Sequence, residues 1–162
     1  MNVGAKEATG EILYFLHSDT IPPPTYLTDI RTSIQKGYDA GCYQLGFDSN
    51  NVLLKINTFF TRFRKMWNRG GDQSLYIKKD LFEKLGRYPN DFLIMEEYAL
   101  IEKIVKDYNF EILPKKIIAS ARKYQKNSYL KVQIANLVVF NMYKRGESQE
   151  KMYQTYRSML NR

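Results

Sequence analysis

Four short stretches of this chain hold most of the side chains suited to binding a cation, an anion or a proton. The first is Phe15-Leu16-His17-Ser18-Asp19-Thr20. Ile12 to Leu16 reads as a short buried strand, and it empties into polar residues just ahead of Pro22-Pro23-Pro24. In open α/β sheets, ligands sit beyond the carboxyl ends of strands. That makes Asp19 the leading candidate for holding a metal or a phosphate-bearing substrate. Asp19 equally suits the N-cap of the helix expected after the prolines. The second stretch, Gly70-Gly71-Asp72-Gln73, sets a carboxylate and an amide on a glycine-permitted turn before a strand. In the third, Met95-Glu96-Glu97, two acids open a helix whose dipole favours negative charge. The fourth, Ser120-Ala121-Arg122-Lys123-Tyr124, leaves a strand with two cations and an aromatic ring. Each has a plain alternative: Asp72 as a turn residue, the glutamates as a stabilised first turn, Arg122 and Lys123 as ordinary surface.

The elements that must position these residues alternate between strand and helix. A short helix over Asn2 to Ala8 is expected to stop at Gly10, followed by a strand over Glu11 to His17. Pro23 or Pro24 suits the first turn of a helix running to about Lys36, which Gly37 closes. Tyr38 to Phe47 predicts one or two bent extended segments. Val52, Leu53, Ile56, Phe59, Phe60, Phe63 and Trp67 recur at helical spacing, so Asn51 to Trp67 reads as an amphipathic helix. Ser74 to Ile77 is a short strand, and Asp80 with Glu83 has capping-box spacing for a helix ending at Gly86. Glu96 to Tyr108 is helical, while Phe110 to Leu113 and Ile117 to Ser120 are strands flanking Pro114. Helices over about Tyr129 to Lys144 and Ser148 to Leu160 close the chain. The class is α/β.

Composition narrows the partners. With 162 residues and 44% hydrophobic content, the chain can bury a real core as one domain. One cysteine, Cys42, excludes an internal disulfide and points to a reducing, cytoplasmic setting. Paired Cys and His spacings of structural zinc are absent. Met1 to Glu7 hold no apolar signal region, so no leader is expected. The longest uncharged apolar run, Val132 to Tyr143, is interrupted by Gln133, Asn136 and Asn141. It falls short of the roughly 20 residues that span a bilayer. A net charge of +8 favours an anionic partner. The cations cluster at Arg62, Arg64, Lys65 and Arg69 and again at Arg122, Lys123 and Lys126. No nucleic-acid-binding module accompanies them, so nucleic acid is not expected.

In order and spacing, the four stretches resemble glycosyltransferase family 2, which has the GT-A fold. The match is closest to a bacterial subgroup of the pattern M-N-x-G-A…G-E-x-L-x-F-L-H-A-D-T…G-D-Q…M-E-D…S-A-R-R-[WY]. Here these stand as Met1-Asn2-Val3-Gly4-Ala5, Gly10 to Thr20, Gly71-Asp72-Gln73, Met95-Glu96-Glu97 and Ser120-Ala121-Arg122-Lys123-Tyr124. The resemblance implies metal-dependent, inverting transfer of a sugar from a nucleotide diphosphate donor to an acceptor hydroxyl, including a lipid-linked one. Asp19 would match the last aspartate of the family's D-x-D element, with His17 at its first position. The cofactor would be Mg²⁺ or Mn²⁺ bridging the donor diphosphate. Glu97 would be the general base, a role Glu96 is placed to share. Asp72 and Gln73 would line the sugar and acceptor side, Arg122 and Tyr124 would hold diphosphate and acceptor, and Asn2 would lie near the nucleotide.

The same resemblance implies a partial GT-A fold, a small mixed sheet flanked by helices with a helical C-terminus. Residues 1–125 would form the C-terminal two-thirds of the catalytic domain, with 126–162 a helical extension packed on it. Roughly the first third of the family's domain has no counterpart here. A truncated chain of this kind is expected to have weak or absent activity in isolation, and to cover its open sheet edges by forming a homo-oligomer. Its expected place is the cytoplasm, with peripheral contact at the inner membrane face. The rival reading is a non-catalytic basic module. In it, the helix Asn51 to Arg69 and the last two helices dock on an anionic membrane or a protein partner.

Overall fold

The computed structural model describes residues 1–66 and 69–160. Five strands form one mixed sheet: β1 (Ile12–Phe15), β2 (Thr20–Ile21), β3 (Ala40–Phe47), β4 (Leu75–Lys78) and β5 (Phe110–Ala119). Their order across the sheet is β1-β4-β3-β5-β2. β3 and β5 run parallel, and the other neighbours pair antiparallel. Around the sheet lie α1 (Asn2–Glu7), α2 (Tyr26–Gln35), α3 (Val52–Phe60), α4 (Lys79–Lys84) and α5 (Glu96–Asp107). Then α6 (Arg122–Lys126), α7 (Tyr129–Lys144) and α8 (Gln149–Met159) close the chain.

Strand alternation splits the core between the two faces of the sheet. Ala40, Cys42, Leu75 and Ile77 meet Phe82, Leu100 and Ile104 on one face. Tyr43, Leu45 and Tyr76 meet Ile30 of α2 on the other, together with Leu113 and Ile117. Burial on both sides explains why β3 is apolar nearly throughout. Gly41 is required there: a Cβ would sit 2.3 Å from the Tyr76 hydroxyl and 2.5 Å from the Glu111 carbonyl. Val132, Ala135 and Leu160 form a separate small cluster with Tyr124, Tyr156 and Met159.

Several elements differ from expectation. Of the one or two extended segments expected over Tyr38 to Phe47, one forms, β3, as expected. The two strands expected around Pro114 are one, β5, because the register passes from Tyr43–Leu113 to Gln44–Lys116 and leaves Pro114 and Lys115 as a bulge. α1 ends with Ala8 extended, and Gly10 is not its left-handed terminator. α2 starts only at Tyr26, with Thr25 as N-cap, so Asp19 caps nothing there and the prolines lie outside the helix. Asp80 sits inside α4 and accepts the Leu81 N–H, while Glu83 pairs with Arg87 rather than capping backwards. α3 stops at Phe60, capped at its start by Asn51, and Trp67 lies outside the described residues. The helix buries Leu54 and Thr58, and its Val52, Leu53, Ile56 and Phe59 face outward. Gly37, Gly86 and Gly146 do take the left-handed conformation expected at helix ends.

Candidate active site

His17 and Asp19 occupy the connection from β1 to β2, and the backbone holds that connection firmly. The Thr20 N–H and hydroxyl both donate to the His17 carbonyl, at 3.2 and 2.7 Å, and the Ser120 N–H donates to the Asp19 carbonyl at 3.1 Å. Two acids from distant segments converge on the imidazole. Its Nε2 lies 3.3 Å from Glu97 Oε1, and its Nδ1 lies 3.9 Å from Asp72 Oδ1. Glu97 comes from the first turn of α5, and Asp72 from a tight 3₁₀ turn over Gly71–Gln73. Both acidic elements adjoin backbone strain. Met95, immediately before the glutamates, has φ of 67°, and Ser74, just after the turn, has φ of 60°. Non-glycine residues held left-handed cost on the order of 1–3 kcal/mol and concentrate at functional sites.

The electrostatics follow from this crowding. The hydrogen bond to Glu97 raises the His17 pKa above its ordinary value, with burial opposing, and Glu97, Asp72 and Asp19 add to the rise. Burial raises the Glu96 carboxyl, and the charge of neighbouring Glu97 adds to it. Tyr88 is buried beside both glutamates, and its phenol is driven up by burial. His17, Glu97 and Tyr88 line a cleft of about 10 Å³ with Met1, Phe15 and Ser74. That is about the space of one water.

Two residues beyond His17 the character changes. Asp19 Oδ2 accepts from Arg122 Nη2 at 3.3 Å, and Arg122 Nε donates to Ser120 Oγ at 3.1 Å. This pair opens onto a cavity of about 500 Å³ lined by Lys123, Lys126, Asn127, Tyr156 and Leu160. Lys123 Nζ donates to the Tyr156 hydroxyl at 2.9 Å. Three cations against one carboxylate make this cavity suited to an anion such as a diphosphate.

No protein-family model and no curated protein sequence matches the chain. Solved structures do. The mannosyltransferase PcManGT from Pyrobaculum calidifontis, in complex with GDP-Man and Mn²⁺, superposes with a TM-score of 0.60 at 16% identity over 89% of this chain. TarS 1–349 of S. aureus superposes at 0.55 and 14% identity over 98% of this chain, as does its complex with UDP-GlcNAc. The fold is the one these structures share. It is the GT-A-type mixed α/β sheet flanked by helices. The chain spans less than half of PcManGT, 41%, and about half of the TarS chains, 48 and 50%.

On that GT-A-type fold, the remaining expected residues lie near the centre in different ways. Tyr124 stands on α6, edge-on to Phe47 at 5.4 Å and stacked on Tyr129. Burial raises its phenol, and the charge of Asp72 is close enough to contribute. Gln73 is buried beneath its turn, and its Oε1 accepts from Arg69 at 2.6 Å and from the Cys42 thiol at 3.4 Å. Asn2 pins α1 to the loop after α4. Its Nδ2 donates to the Tyr88 carbonyl and Asn90 Oδ1, and its Oδ1 accepts the Tyr88 N–H.

Residue typing overlooked Tyr88 and Tyr156, and it read Lys123 and Arg69 only as members of basic clusters. Arg69 is buried, and its Nη2 bonds the Thr61 and Phe63 carbonyls while Nη1 bonds Gln73 and Cys42. Its place in a run of surface-type cations hid this role. The Cys42 thiol, raised to about 11 by burial, is a packing group and not a nucleophile.

Among the described residues no three His, Cys, Asp or Glu side chains form a metal cage. The donor set beside the cationic cavity is a single carboxylate, the least that a hard divalent ion in a nucleotide site needs. Mg²⁺ in nucleotide sites is bound through one or two carboxylates plus substrate phosphates and waters. Asp19 supplies one exposed carboxylate, already facing a cation, with His17 two residues away. No described helix is long and apolar enough to cross a membrane.

Proposed function

We propose that this chain carries the transfer site of a nucleotide-sugar glycosyltransferase that inverts the sugar's configuration. The supporting observation is the convergence of His17, Asp72 and Glu97, with the Asp19–Arg122 pair beside them, on a GT-A-type fold. PcManGT is described with GDP-Man and Mn²⁺, and TarS with UDP-GlcNAc, so a GDP- or UDP-sugar is the donor class to test.

In this reading Glu97 takes the proton of the acceptor hydroxyl as that oxygen bonds the anomeric carbon. The bond from that carbon to the diphosphate oxygen breaks, and the electron pair leaves with the diphosphate. Arg122, with Lys123 and Lys126 behind it, meets the developing charge. Asp19 would hold Mg²⁺ or Mn²⁺, aided by His17, and the ion would neutralise the departing diphosphate. His17 also holds Glu97 in place and competes with the acceptor for it. Asp72 faces the sugar, with Gln73 fixing its turn from below. Tyr124 supplies a ring wall, and Asn2 fixes the loop carrying Tyr88. Within the extension 126–162, Lys126, Asn127, Tyr156 and Leu160 close the cationic cavity, and the acceptor hydroxyl belongs to a lipid-linked or surface-borne molecule.

Calorimetry with UDP and GDP, each with and without Mn²⁺, tests the reading. Metal-dependent binding that Asp19→Ala abolishes supports it. Absence of any nucleotide binding would favour the non-catalytic basic module. β1 pairs in the sheet only with β4 among the described residues, and we propose that a second copy covers its open edge. A monomer by light scattering overturns that assembly.

A further inference from the structure

The outward face of α3 is the second notable surface. Val52, Phe59 and Phe63 are 66, 48 and 46% exposed, and Leu53, Ile56 and Phe60 join them. The three phenylalanine rings lie within 6.3 Å of one another, centre to centre. A monomer seldom leaves so many large apolar side chains together in water without a partner. α7 carries a second apolar row. Leu130, Ile134 and Leu137 recur at i, i+4 and i+7 and are exposed, and Tyr129 at its start accepts from Asn57 of α3.

Charge identifies the occupant. Lys55, Arg62, Arg64 and Lys65 are exposed on or beside this face, and no acidic residue occurs between Asp48 and Asp72. The Arg62 guanidinium lies 3.9 Å over the Phe59 ring, so cation and aromatic share one surface. A two-fold contact with a second copy would press these cations against their own equivalents. A bilayer with anionic headgroups satisfies both features, accepting the rings below and the cations above. We propose that α3 and the residues to Lys65, flanked by the apolar row of α7, form a docking face for an anionic lipid surface.

Flotation with phosphatidylcholine vesicles, alone and mixed with phosphatidylglycerol, tests this without any nucleotide. The wild-type chain is expected to float with the mixed vesicles only. Arg62→Gln/Arg64→Gln/Lys65→Gln should weaken that binding by about 100-fold, given the contribution of each basic residue near an anionic surface. Phe59→Ser/Phe63→Ser should weaken it by at least about 10-fold. A charge-matched control removes Lys36, Lys84 and Lys106, which are exposed beside the N-terminal ends of β3 and β5, away from α3. It should bind as the wild type does. An equal loss in that control, or equal binding to neutral vesicles, overturns the proposal. So does a dimer that the Phe59/Phe63 variant dissociates, which would assign the face to a second copy. Loss of helical circular dichroism in that variant would show the rings to be core, and overturns it too.

Discussion

Around His17, ionisable side chains from three separate segments crowd a cleft barely large enough for a water, and strained backbone lies on either side. Around Arg122, three cations surround a cavity of about 500 Å³ that faces solvent, with Asp19 as its one carboxylate. The first region is held by the core, through Phe15 against Phe82 and Tyr88 and through α5 against the sheet. The second has one exposed ion pair, Asp19–Arg122, worth at most about 1 kcal/mol, with the small cluster around Leu160 behind it. The contrast suits a division of labour. Proton transfer needs a group fixed to within a fraction of an ångström, whereas a polyanion needs charge and room.

The largest effect is expected where that division is cut at its rigid end. Glu97→Gln should lower turnover of a bound donor by about 1,000-fold while leaving nucleotide affinity within about threefold. Equal losses in both would merge the two regions into one. Next comes the open side, where Asp19→Asn should weaken Mn²⁺-dependent nucleotide binding by about 100-fold and leave metal-free binding unchanged.

A smaller effect follows from pH. The His17 pKa is raised, chiefly by its hydrogen bond to Glu97. The pair's contribution to stability is therefore full below the ordinary histidine value and is lost as pH rises through the raised one. Losing the proton also frees Glu97 for the acceptor, so turnover should climb over that same interval while stability falls. His17 is the only histidine, so one imidazole signal in an NMR titration reads its pKa. In His17→Asn both the stability slope and the rising limb of turnover should disappear. The smallest effect concerns strain: Met95→Gly should raise stability by about 1 kcal/mol in thermal melts. It should also let the His17 pKa drift back toward normal as the acidic turn loosens.

Residue types and order carried much of this arrangement. Asp19, Asp72, Glu97 and Arg122 stood out as polar groups at element boundaries, and those boundaries converge at one end of the sheet. Facing was harder to read. The stripe of Val52, Leu53, Ile56 and Phe59 has a helical period, but a period does not say whether a stripe meets core or solvent, and here two other residues of α3 are buried. Gln73 and Asn2 have amides equally able to face a ligand or the backbone, and their bonds to Arg69 and Tyr88 arise only from tertiary packing. Pro114 looked like a break between strands because proline lacks an N–H. A bulge absorbs that loss without ending the pairing.

Arg69 links matters usually considered apart. Its guanidinium grips the carbonyls of Thr61 and Phe63 with one nitrogen, and Gln73, neighbour of Asp72, with another. The stretch leaving α3 and the turn bearing Asp72 are therefore tied through one buried guanidinium. A lipid surface seated against Phe63 would therefore press on the same guanidinium that braces the turn whose acid faces the only imidazole in the chain.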